Sequence, residues 1–217
     1  MSNFTRSSDE DGSSRYVYKG KISELYTYST LWRNLLVLIV CWCTCSVGYY
    51  VLAIILKYLS GSLFLNLYSS GFGEIAGKLS AIPLLRCASL RMVFMIAFSF
   101  ASLGLLLLII LQNYENITPV LVLLTRYSFS MGYVASYLSI VLLYPAILAS
   151  TAGGICVLVS KSATIFAPMV AEMRPPINLV TVLCISVVAT FTSHFLRVED
   201  ESKNDDDDDR DKGTASE

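Results

Sequence analysis

Residues 147–171 read ILASTAGGICVLVSKSATIFAPMVA. The run is long and apolar enough to cross a bilayer, for which about 20 residues of helix suffice. Lys161 stands near its middle. A lysine at that depth costs roughly 2.5–3.5 kcal/mol on the insertion scale. It is therefore expected to face a wet cavity, or a partner inside a bundle, rather than lipid. Gly153 and Gly154 before it allow a close helix approach, and Pro168 after it allows a bend.

Working outward, comparable runs occupy roughly 31–56, 60–85, 92–111, 119–143 and 177–196. They are about twice the length of barrel strands and lack a period of two, so they read as helices. The expectation is an all-α integral membrane protein with six transmembrane helices. Its domains are a polar segment at 1–30, a six-helix transmembrane domain at 31–197 and an acidic tail at 198–217. The composition agrees: 54% of the 217 residues are hydrophobic, and the excess lies in blocks between polar ends.

Six spans put both ends on one side. Arg15, Lys19, Lys21, Arg33, Arg86, Arg91 and Arg197 would share the termini's side, against Lys57 and Arg174 opposite. The positive-inside rule then makes both termini cytoplasmic. Asn116-Ile117-Thr118 would lie outside and fits a glycosylation sequon, whereas Asn3-Phe4-Thr5 would be cytoplasmic and unused. The polar first 30 residues give no expectation of a cleavable leader. The net charge of -1, with the acids concentrated in the tail, gives no expectation of nucleic acid as a partner. Among the six cysteines, Cys41 and Cys45 share a helix face and read as small packing residues, with no metal or cofactor expected.

The charged residues inside spans carry the functional reading. Glu74 is flanked by Gly73 and Gly77 at close-packing spacing, and Lys78 lies one turn on. The pair can serve as a self-neutralising unit that eases insertion, or Glu74 can line a cavity wall. Arg126 can snorkel to the outer headgroups or project into a cavity. Tyr49, Tyr50, Tyr133 and Tyr137 can stack on a ligand or simply pack. His194 reads as an interfacial end residue, and Asp205 to Asp209 as a solvated tail with weak ion or partner binding as the other reading. A Walker loop, an arginine-rich voltage helix and a channel filter motif do not occur in the sequence. Neither a hydrolase nor any other enzyme is expected.

An ordered set of short motifs resembles the C-terminal half of the organic ion transporters, a branch of the major facilitator superfamily. The set is Ser23-Glu24-Leu25-Tyr26, Tyr49-Tyr50, Leu63-Phe64-Leu65-Asn66, Leu67-Tyr68-Ser69-Ser70, Glu74-Ile75, Thr125-Arg126, Tyr144-Pro145 and Pro168. The resemblance covers about residues 22–197. It implies half of a twelve-helix fold, alternating access, a small organic ion as substrate and residence in the plasma membrane. The missing wall would come from a second six-helix half or a second copy. It places Tyr49, Tyr50, Glu74, Arg126, Tyr133, Tyr137 and Lys161 around the substrate. A cation at position 161 looks like the anion-carrying side of the family. Three departures weaken the cytoplasmic gate: Leu142 and Ala149 stand where the family carries an acid and an arginine, and residues 86–90 replace a charged loop. They leave a second reading, a facilitator-derived membrane scaffold that does not transport.

Overall fold

The computed structural model describes residues 29–144 and 146–196. The leading polar segment with its lysines and sequon, Pro145, Arg197 and the acidic tail lie outside the described residues. What is described is helical, with no strand among those residues. The helices are α1 (Ser29–Ile55), α2 (Leu63–Cys87), α3 (Leu90–Ile110), α4 (Thr118–Leu143), α5 (Ala146–Thr164), the short α6 (Ala167–Ala171) and α7 (Ile177–Ser193). A 3-10 turn, Leu56–Tyr58, extends α1.

Each of the expected segments holds a helix. Three stretches are long and apolar enough to cross a membrane: Leu31–Tyr58, Leu90–Ile110 and Ala146–Thr164. Ile177–Ser193 is apolar but shorter. The expected fifth segment is not one helix. It breaks at Ile165 and Phe166, where the hydrogen bonds shorten to i→i+3. Pro168 explains the break: it has no N–H for the Thr164 carbonyl, and its ring crowds that carbonyl.

Sequence chemistry sets the turns. Between α1 and α2, Gly61 holds φ 93°, a conformation side chains resist, and an added Cβ would sit 3.0 Å from the Glu115 carbonyl oxygen. Pro119 opens α4, where its missing N–H costs nothing. The hydroxyls of Thr125, Ser128, Ser136 and Ser139 donate to the carbonyls four residues earlier. These four hydroxyls are therefore satisfied within the helix itself.

The centre is the pair α1 and α4. α1 packs against α4, α5, α6 and α7, and α4 against α1, α2 and α3 and more lightly against α5. Trp42, Phe94, Phe98 and Phe129 are fully buried among them. α2 leans on α4. A Cβ added to Gly73 would come within 2.5 Å of the Leu123 carbonyl oxygen, and one on Gly77 would collide with that of Tyr127. The glycines thus set the α2–α4 distance, as their spacing predicts. The opposite side of α2 is apolar and open, with Phe64, Phe72 and Leu79 exposed. The two ends of the bundle are distinct. At one, Tyr144 Oη donates to the Leu31 carbonyl. At the other, Ser60 joins Gln112 and Thr118, and Asn66 donates to the Ser60 carbonyl.

Candidate functional site

Three helices bring the charged residues together. Glu74 on α2 faces α1 and α4 because Gly73 and Gly77 seat this face against α4. Its Oε1 accepts from Lys78 Nζ at 2.6 Å, the i,i+4 pair expected from sequence. Its Oε2 accepts from Tyr49 Oη at 2.8 Å and from Arg126 Nη2 at 3.3 Å. Arg126 is 6% exposed and does not snorkel. Its Nη1 donates to the Tyr49 carbonyl at 2.7 Å, and its guanidinium lies 3.6 Å from the centroid of the Tyr49 ring. The Nε of Arg126 is buried with no hydrogen-bond partner. Ser130 ties the node down by donating to the Glu74 carbonyl at 2.9 Å.

A cavity of about 200 Å³ opens beside this node, lined by Tyr49, Tyr50, Glu74, Lys78, Ser130 and Tyr133. Aromatic rings continue from it. Tyr49 meets Tyr50 edge-on at 5.5 Å and Tyr133 at 6.4 Å. Tyr133 meets Tyr137 at 5.5 Å. Behind them Trp42 contacts Tyr137 at 4.5 Å and Tyr133 at 5.8 Å, and donates to the Ser136 carbonyl. Tyr50 and Tyr137 are 40% and 50% exposed, so this shelf faces out of the bundle.

Lys161 stands at the rim, in the last turn of α5 before the break. The residue is exposed and stands beside the residues that line the cavity rather than among them. Its Nζ reaches the Tyr133 hydroxyl at 3.4 Å and lies 5.3 Å from the centre of the Tyr50 ring. Both contacts are loose, so the ammonium has hydrogens to spare.

All seven residues expected at a site fall in this one region, in two tiers. Glu74, Tyr49 and Arg126 form a closed hydrogen-bonded node; Tyr50, Tyr133, Tyr137 and Lys161 form an open shelf. Three neighbours were not expected there. Lys78 lines the cavity, although its i,i+4 spacing signalled only the pair. Ser130 had no signal in a serine-rich helix. Trp42 reads as an apolar residue of α1, and nothing in the sequence says that it backs the tyrosines.

Among the described residues the carboxylates are Glu74, Glu115 and Glu172, and only Glu74 reaches the cavity. Three donors occupy its oxygens. Lys78, Arg126 and Lys161 leave the region with surplus positive charge.

No family model matches the chain. It is similar to solute carrier family 22 member 4 of Mus musculus, 28% identical over 128 residues. That match takes in 58% of this chain and 23% of the mouse protein, so the chain spans about a quarter of its relative's length. The apolar helices and this likeness to a solute carrier point to a membrane protein.

Proposed function

We propose that the chain is a six-helix body of a secondary transporter of the organic ion type, and that its cargo is an organic anion. The charge balance at the cavity supports this reading. The one carboxylate there is taken by Tyr49, Lys78 and Arg126 and offers little to a cation. Lys161, with only loose hydroxyl and ring contacts, offers its ammonium to an anion. An apolar or aromatic body would lie on Tyr50, Tyr133 and Tyr137. Placed at membrane depth, the ammonium would bind an anion more strongly than it could in water.

The shelf faces out of the bundle, so the opposite wall belongs to a second six-helix half or a second copy. Alternating access is then the rocking of the two bodies around the site. The six segments span the bilayer with both termini in the cytoplasm, and the plasma membrane is the expected address. Uptake of a labelled aromatic carboxylate into proteoliposomes tests the reading. Lys161→Asp reverses one charge at the shelf and is expected to cut uptake roughly tenfold or more. Unchanged uptake would remove the electrostatic assignment.

The second reading, a non-transporting membrane scaffold, draws on Leu142 and Ala149, where the resembled family carries gate charges. Saturable uptake by vesicles holding this chain alone would exclude it.

A further inference from the structure

The end of the bundle that carries Gly61 and Glu115 holds a second cavity, of about 240 Å³. It opens where three connections meet: α1 to α2, α3 to α4, and α6 to α7. Its polar lining residues, Ser60, Gln112, Asn113 and Asn178, are uncharged, and Tyr58 adds one aromatic ring to an otherwise apolar wall. Lys57, Glu115, Glu172 and Arg174 stand in the same connections, exposed and two of each sign, so no net charge marks the mouth. The hydrogen-bonding capacity of the lining is spent unevenly. Ser60 Oγ donates to the Gln112 carbonyl at 2.6 Å and pairs with Thr118 Oγ1 at 3.1 Å, so it is committed. Asn178 is 2% exposed; its Oδ1 accepts from the Leu179 N–H at 2.8 Å, and its Nδ2 donates to the Ala171 carbonyl at 3.4 Å. An amide nitrogen carries two hydrogens, so a buried donor is left over in the cavity wall. The side-chain amides of Gln112 and Asn113 hold no hydrogen bond among the described residues.

We propose that this cavity binds one ring of a neutral, hydroxylated molecule, of the monosaccharide class. A ring hydroxyl both donates and accepts. A planar amide presents a donor and an acceptor side by side, so the three amides match neighbouring hydroxyls of one ring. Tyr58, with apolar Leu59 and Leu179, offers a surface for the C–H face of that ring, the usual division of a pocket into apolar wall and a few polar groups. The volume suits a single ring, since pockets for drug-sized ligands run to about 300–1,000 Å³. An ion fits less well. No charged side chain lines the wall, and Asn178 Oδ1 already takes an N–H at the start of α7 that an anion would otherwise seek. The site is separate from the shelf: Tyr50 and Tyr58 lie about 12 Å apart along α1. It stands whether or not the chain carries anions.

Ligand-observed saturation-transfer NMR with glucose tests the site. The full chain is held in lipid nanodiscs, because glycoside detergents would compete for the cavity, and nanodiscs without the chain set the baseline. The proposal predicts transfer to the glucose ring protons above that baseline. Gln112→Ala with Asn113→Ala should weaken glucose binding roughly fivefold or more, the loss expected when at least one hydrogen bond goes. Tyr58→Ala should weaken it independently. All three side chains are exposed, so the bundle survives either variant. Excess benzoate, a probe of the shelf, should leave the glucose signal unchanged. Absence of transfer from the wild-type chain overturns the proposal. So does transfer that both variants leave intact, because the sugar would then sit elsewhere. Displacement of glucose by benzoate overturns it as well, by moving the sugar to the shelf.

Discussion

Glu74 and Lys161 are one helix apart in role though both sit in apolar runs. Glu74 satisfies its neighbours; Lys161 waits for something to satisfy it. The difference shows in the hydrogen bonds, three on Glu74 at 2.6–3.3 Å and one loose contact on Lys161. Removing the Glu74 charge therefore damages the fold before it damages recognition. Glu74→Gln would leave Arg126 almost buried without an anion, a loss on the order of 3 kcal/mol. Thermal unfolding in detergent should show Tm lowered by several degrees, while Lys78→Gln, which removes an exposed partner, should change it by a degree or so. Equal effects from the two substitutions would contradict the node. Much of this chemistry is legible in the sequence, because a charge in an apolar run has few places to go. Glu74 and Lys78 announce their pairing by spacing. Arg126 does not, since snorkelling and cavity placement both satisfy an arginine in a span's outer third. Its choice rests on Glu74 and on the carbonyl of Tyr49, neither of which is near it in sequence.

Among the helices, α2 depends on contact more than on propensity. Its exposed face is apolar, and its inner face is cut flat by glycine. Gly73→Leu should therefore separate α2 from α4, opening the node and abolishing the assembled fold, seen as loss of a monodisperse species. Gly154→Ala is the control. Nothing lies within 4 Å of a Cβ there, so the change should be neutral or stabilise by up to about 1 kcal/mol. A Gly73→Leu protein that stays monodisperse with unchanged Tm would show that α2 does not need the close seam. Helix positions are readable in the sequence from apolar length; helix rotation is not. Trp42 and Ser130 join the site only because α1 and α4 turn those faces towards it. The break in α5 is half legible: Pro168 signals a bend, but its spacing alone does not say that the helix stops at Ile165 and Phe166 and restarts as α6.

Across the molecule, the two ends of the bundle differ in chemistry as the charge asymmetry of the loops requires. The turn bearing Arg86 and Cys87 belongs with the start of α1, and the loop bearing Glu115 belongs with Gly61 at the far end. With cytoplasmic termini, a membrane-impermeant maleimide applied to intact cells should spare Cys87 and label a Glu115→Cys variant. The reverse pattern would invert the topology. The central claim is that the Lys161 position is wet and receives a negative ligand. Its most direct measurement is Lys161→Cys treated with water-soluble thiol reagents during anion uptake. The account predicts ready modification, with an aminoethyl reagent that restores the ammonium recovering uptake and a sulfonate reagent failing to do so; a thiol that neither reagent reaches from either side of the membrane would contradict it.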